Sequence, residues 1–341
     1  MKAVALDPST IAPDRVAGRV LCHDVVVAGD TGRVKLPKGR ILDRADAAAL
    51  RLYPGEVHLL ELGSGDVHED EASRRLARAV SGEGVTIRPP VESQSQLRAA
   101  HRGLVEVDAG ALQAINSLPD ISVFTVYDGQ PVDIDRVVGA TKVTPLAVPE
   151  DVLRQAEHIA RDAAPVLRVR PFLKLPVGVL VRDRITARAR DTFEAAIQTK
   201  LSWFGSPIAG IAYLPDDVDA IACALSRFVQ TGARLILAAG VNSTDPLDLT
   251  LQALERVGAE TERRGVPAHP GSTCWLAYIG QVPVFGLALC GMFSQTTVLD
   301  LLLPRFLAGC DVRGADIARF GHGGLLSKEM AFRFPPYAVA G

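Results

Sequence analysis

Residues 233–258 read ARLILAAGVNSTDPLDLTLQALERVG. An apolar run of strand length, 233–240, stops at Gly240, which predicts a buried strand ended by a turn. Asp245 followed by Pro246 is a helix-start signal, and DPLDLTLQALERVG predicts a helix over 245–258 ending at Gly258. As a cap, Asp245 would contribute about 1 kcal/mol. Between strand and helix stand Asn242, Ser243 and Thr244, with Asp248 and Thr250 just beyond. Such short oxygen-bearing side chains either make an ordinary turn and cap or surround a polar ligand. Carboxylates and hydroxyls grouped this way also suit a hard cation such as Mg²⁺.

The same strand–loop–helix rhythm extends on both sides. VGVLV (177–181) and PIAGIAYL (207–214) predict strands, while DTFEAAIQTKLSWFG (191–205) and DDVDAIACALSRFVQTG (216–232) predict helices. Two apolar runs follow, TCWLAYIG and VPVFGLALCG, and then the helical QTTVLDLLLPRFLAG. Strands alternating with helices of this length imply a mostly parallel sheet covered on both faces, a three-layer α/β domain. Ligands of open parallel sheets bind at the carboxyl ends of the strands. The loop 240–248 is one such place. Another is VRDRITARARD after VGVLV, where Arg182, Arg184, Arg188 and Arg190 could hold a phosphate through bidentate geometry. A solvated basic loop is the alternative.

Upstream the pattern differs. Residues 16–62 mix short β-type runs with Gly and Pro, around a predicted helix, DRADAAALRLY, capped by Asp43. DVHEDEASRRLARAVSG (66–82) predicts an amphipathic helix with an acidic start. Residues 84–145 read as short strands and turns, and 150–165 as a helix bounded by Pro149 and Pro165. The expected organisation is an α+β N-terminal module with its linking helix over 1–165, the α/β domain over 166–309, and a tail over 310–341 packing on the α/β domain.

Composition bounds the function. A chain of 341 residues suggests two or more domains. Hydrophobic residues at 48% and charged residues at 22% fit a globular protein. The apolar runs are too short to span a membrane, and MKAVALDPSTIAPDR does not read as a secretory signal. A net charge of -2 argues against nucleic-acid binding by the whole chain. The five cysteines, Cys22, Cys223, Cys274, Cys290 and Cys310, are scattered without ligand spacing, which argues against a zinc site or iron–sulfur cluster and favours a reducing cytoplasm. No GxSxG, HExxH, GxGxxG or P-loop spacing occurs. HPGS (269–272) reads as a tight turn in which Gly271 permits close approach to backbone N–H groups. GHGG (321–324) reads as a turn in the tail.

Taken in order, these pieces resemble the molybdopterin molybdenumtransferase family: strand, loop, helix, DD at a helix start, LILxxGxxSxD, PG, then GL. The resemblance is good over 177–309 and extends more loosely over the chain, through GDVHEDEASRRLARAVSG, GLVEVDAGALQAINSLPDI and ATKVTPLAV. It implies binding of molybdopterin at Gly240, Ser243, Asp216, Asp217, Pro270, Gly271 and Gly286, and the loop residues Asn242, Thr244, Ser272, Arg182 and Arg184 are candidate cofactor contacts beside them. It implies Asp245 and Asp248 as catalytic and metal-side groups toward Mg²⁺ and molybdate. The family's threonine-glycine-x-glutamate loop is here Arg182, Asp183, Arg184 and Ile185. Its second loop glycine is Val241, the lysines around the proline-glycine turn are His269 and Ser272, and a later proline-glycine is Ala288-Leu289. The tail lacks the cysteines expected of the subgroup. The expectation is a cytoplasmic molybdopterin binder of cofactor assembly, with or without molybdate insertion, and the resemblance implies a homo-oligomer. The alternative is a non-catalytic scaffold or delivery protein for a molybdoenzyme.

Overall fold

The computed structural model describes residues 1–29, 32–163, 165–182, 186–287, 296–335 and 337. The chain forms two compact units. One comprises 1–101, 105–128 and 133–169, and the other 102–104, 129–132 and 170–341.

The first unit is α+β with small antiparallel sheets. Lys2–Leu6, Val57–Glu61 and Val20–Leu21 form one sheet, with the middle strand between the other two. Ile121–Thr125, Val137–Val143, Gln94–Ala99 and Val85–Ile87 form another, in that order. Along Gln94–Ala99 half-buried and buried residues alternate strictly, as a sheet with one face on the core requires. The amphipathic helix is Glu69–Val80, shorter than predicted, because Asp66–His68 is a strand paired with Ala147–Pro149. A helix at Ala109–Asn116, within a region expected to hold only strands and turns, is capped by Asp108, whose Oδ1 accepts from Ala111 N at 2.9 Å. The expected helix at 43–53 is reduced to Asp46–Leu50. Glu150–Ala163 forms as predicted at its start. Arg75 clamps the helix Glu69–Val80 to Glu150–Ala163, donating to Glu150 at 2.8 and 3.1 Å and to Glu157 at 2.9 and 3.0 Å.

The second unit is built on one six-stranded sheet. Its strands are β1 (Val177–Val181), β2 (Ile208–Tyr213), β3 (Leu235–Ala239), β4 (Glu260–Arg264), β5 (Trp275–Ile279) and β6 (Val282–Gly286). The order is β2-β1-β3-β6-β5-β4. The pairs β1/β2, β1/β3 and β3/β6 are parallel, and β5 runs antiparallel to both neighbours. The helices are α1 (Ala187–Phe204), α2 (Val218–Gln230), α3 (Leu249–Arg256) and α4 (Val298–Leu307). Every residue of β1 and β3 is buried, so both strands read as unbroken apolar runs. Alternate side chains serve different layers. Val177, Val179, Val181, Leu235 and Leu237 pack with Phe193, Ile197 and Leu201 of α1 and Leu299 and Leu302 of α4. Leu180, Ile236 and Ala238 pack with Ile221 and Leu225 of α2 and Leu251 and Leu254 of α3. This is the three-layer α/β fold expected from the rhythm of strands and helices.

The edge strand β4, ETERR, has no apolar pattern and was not foreseen; two of its five residues are half-buried and none is buried. It pairs with β5 on one side only. Within the tail, Val312, Ile317, Phe320 and Tyr337 pack into the layer of α1 and α4. The GHGG segment runs back beside the HPGS turn: His269 N donates to Gly324 O at 2.8 Å and Leu326 N to His269 O at 2.7 Å. Across the described residues no helix is long and apolar enough to cross a membrane.

Candidate functional site

Three loops leave the carboxyl ends of parallel strands in the described part of the sheet. Arg182 follows β1, Asp216 and Asp217 follow β2, and 240–248 follows β3. Gly240 ends β3 with φ +81°, a conformation that favours glycine. Val241 does not share that need. It has no positive φ, and its side chain, 6% exposed, belongs to the core under α2 and α3. Val241 therefore stands in the loop without backbone strain.

Asp248 organises the loop. Its Oδ1 accepts from Thr250 N at 2.8 Å, capping α3, and its Oδ2 accepts from Asn242 N at 3.0 Å. The same Oδ2 forms an ion pair with Arg182 Nη2, which also donates to Gly240 O at 3.2 Å. Asp248 is 4% exposed, so this pair is shielded from water. Asp245, expected as the helix cap, sits in the turn before it. Its Oδ1 accepts from Leu247 N at 2.9 Å, an Asx turn, and α3 starts four residues later than predicted, at Leu249. Pro246 therefore lies in the loop.

The hydroxyls tie the loop together. Thr244 donates to Asn242 Oδ1 at 2.8 Å. Ser243 donates to Thr273 O at 2.6 Å, which links this loop to the segment after HPGS. Asn242, Thr244 and Asp245 are exposed and form the outer rim. Asp216 is exposed and lies 3.9 Å from Arg182 Nη1. Asp217 caps α2, its Oδ1 accepting from Ala220 N at 2.7 Å. The buried Nε of Arg182 has no hydrogen-bond partner among the described residues.

Tyr213, the last residue of β2, also stands at this edge. It donates to Glu194 at 2.8 Å, and Arg190 lies 4.2 Å over its ring. Burial, reinforced by the Glu194 carboxylate, pushes its phenol up to about 12. The sequence reading did not single out Tyr213, whose only signal is its place at a strand end.

Gly271 and Gly286, both expected at the ligand, also make close packing contacts. Gly271 has φ +115°, and a Cβ there would meet Val298 Cβ at 2.8 Å, so this glycine admits the start of α4. Pro270 O accepts from Val298 N at 3.1 Å. Gly286 faces the indole of Trp275: an added Cβ would lie 2.0 Å from its Cε2. Ser272 is exposed beside the turn, and its carbonyl accepts from Val266 N at 3.0 Å. Arg184, with Asp183, Ile185, Ala288, Leu289 and Cys290, lies outside the described residues.

A Mg²⁺ ion does not fit the described groups. Both oxygens of Asp248 are engaged by backbone N–H groups and a guanidinium, and one oxygen of Asp245 closes its own turn. Among the described residues no three His, Cys, Asp or Glu side chains gather to hold a metal. The cation beside Asp248 is Arg182. What the edge offers is a rim of hydroxyl, amide and carboxylate groups around one buried guanidinium, an arrangement suited to a polar organic molecule.

Residues 179–308, the stretch that holds this sheet and its loop, match the family described as a probable molybdopterin binding domain. A molybdopterin molybdenumtransferase of Synechococcus elongatus is 26% identical over 198 residues, 49% of this chain and 49% of its own. The chain thus spans about half the length of that curated relative. A molybdopterin biosynthesis protein of Pyrococcus horikosii covers 94% of this chain and 77% of its own at 14% identity, with a TM-score of 0.30. A tungsten cofactor synthesizing protein of Pyrococcus furiosus covers 35% of this chain and 86% of its own at 16% identity, with a TM-score of 0.27. Superpositions this loose carry no structural argument.

Proposed function

We propose that the α/β unit binds molybdopterin at the carboxyl edge of its sheet and that the chain serves molybdenum cofactor biosynthesis or handling. The observation that carries this is the loop 240–248 after β3, inside the stretch that matches the molybdopterin-binding family. Gly240, Asn242, Ser243 and Thr244 would line the ligand, with Asp216 across the edge. The Nε of Arg182, without a partner among the described residues, would meet an anionic oxygen of the ligand, such as its phosphate. Asp217, Pro270, Gly271 and Gly286 would act by shaping the edge, through the cap of α2 and the close packing described above.

A second reading concerns catalysis. The pairing of Asp248 with Arg182 favours a binder that holds or delivers the cofactor without inserting molybdate. In that case Asp245 and Asp248 have structural roles in the loop. The recipient would be a molybdoenzyme or another protein of cofactor assembly. Both readings are decided by supplying the full chain with metal-free molybdopterin, molybdate and Mg²⁺ and following activation of an apo-molybdoenzyme. Activation that depends on the chain establishes insertion. Retention of the pterin without activation establishes the scaffold, and failure to retain it removes both.

A further inference from the structure

We infer that the first unit carries a separate site for a phosphate monoester with a small organic body, of the size of a nucleoside monophosphate. The site is a groove of about 800 Å³ formed by the C-terminal turns of the helices Glu69–Val80 and Glu150–Ala163 and the backbone at 81–83 and 165–168. That volume is within the range of small-molecule sites, roughly 300–1,000 Å³.

Four arginines line it: Arg75, Arg78, Arg161 and Arg168. Two are committed, Arg75 to Glu150 and Glu157 and Arg168 to Glu106. Arg78 and Arg161 are exposed and have no ion-pair partner among the described residues. Each sits in a last helical turn, where a cation offsets the helix dipole. That role explains one arginine per helix, but it does not explain why both open on one concavity. Glu83, exposed, is a carboxylate of the lining with no arginine ion pair among the described residues, and the two free arginines outweigh it, so the charge balance still favours an anion.

Ser81 supplies an independent pointer. Ser81 lines the groove, and its buried Oγ has no hydrogen-bond partner among the described residues. A buried hydroxyl left unpaired is costly, and a ligand oxygen would satisfy it. The wall beneath is fixed. Gly82 N donates to Leu167 O at 2.8 Å and Val169 N to Glu83 O at 2.9 Å. A Cβ on Gly82 would lie 2.4 Å from Pro165 Cβ, so the two segments touch as closely as glycine allows. Ala79, Ala160 and Pro165 give the groove an apolar surface for the organic body. Guanidinium groups, an orphan hydroxyl and an apolar wall together fit a phosphorylated organic anion better than a bare oxyanion.

The site does not depend on the molybdopterin reading. Its test is calorimetric titration of the full chain with adenosine 5′-monophosphate, adenosine and inorganic phosphate. The expected result is saturable binding of the monophosphate, weaker binding of phosphate and none of adenosine. The double variant R78A/R161A, which alters exposed side chains and is expected to melt like the parent, should weaken monophosphate binding by about tenfold or more. Ser81→Ala should not lower the melting temperature and should weaken binding by about fivefold. Absence of binding to the parent chain, or undiminished affinity in R78A/R161A, overturns the site. Phosphate bound as tightly as the monophosphate overturns its organic part, and unchanged affinity in Ser81→Ala removes the hydroxyl from it.

Discussion

Asp248 and Asp245 lie three residues apart in one loop, yet the structure gives them unequal work. Asp248 caps α3, accepts from Asn242 N and neutralises Arg182, all while 4% exposed. Removing it leaves a guanidinium whose side chain is 11% exposed without its carboxylate. Asp248→Ala should therefore cost about 3 kcal/mol or more in urea unfolding, the range for breaking a shielded ion pair. Asp245→Ala loses one Asx turn at the surface and should cost no more than about 1 kcal/mol. A reversed order of the two would contradict the assignment of the cap. Gly286 makes a further test at this scale. Its α-hydrogen faces the buried Trp275 indole, so Gly286→Ala should destabilise by about 1–3 kcal/mol through overpacking alone.

At the scale of elements, titration reports on packing. Glu150 is held down to about 2, first by its hydrogen bonds from Arg75 and then by Arg154. Its folded value is depressed, so its contribution is complete above about 4.5, the unfolded value, and is lost as pH falls toward 2. Glu150→Gln should flatten the acid limb of the stability curve over that window. Tyr278 of β5 behaves oppositely. Burial pushes it up to about 12, against the pull of Arg313, while its hydroxyl donates to Val312 O at 2.6 Å. A raised value means stability is intact below about 10 and lost as pH rises toward 12. Thermal melts across pH 10–12 should show that loss in the parent chain and less of it in Tyr278→Phe.

The elements also show what the sequence could carry. β1 and β3 are buried on both faces, so their apolar runs were legible with bounds near the observed ones. β4 was not, because an edge strand with exposed charged residues has no pattern that separates it from a loop. The start of α3 was misplaced because Asp245-Pro246 and Asp248 both carry helix-start chemistry. Only the tertiary partner Arg182 decides between them. The positions Gly240 and Ser243 were legible as a loop at a strand end. That Gly271 and Gly286 admit Val298 and Trp275 was not, since those contacts join residues distant in sequence.

For the whole molecule, the central claim is that the sheet edge around Arg182 and 240–248 binds molybdopterin. It rests on the family match over 179–308 and on a rim of polar groups around one buried guanidinium whose Nε has no partner among the described residues. The most direct test is equilibrium dialysis of the full chain against metal-free molybdopterin, with Arg182→Lys alongside. The lysine keeps a cation beside Asp248 but lacks the Nε–H and the planar fork. The account predicts saturable retention by the parent chain and a loss of about tenfold in affinity for the variant. No retention by the parent chain, or equal retention by a correctly folded Arg182→Lys, would contradict it.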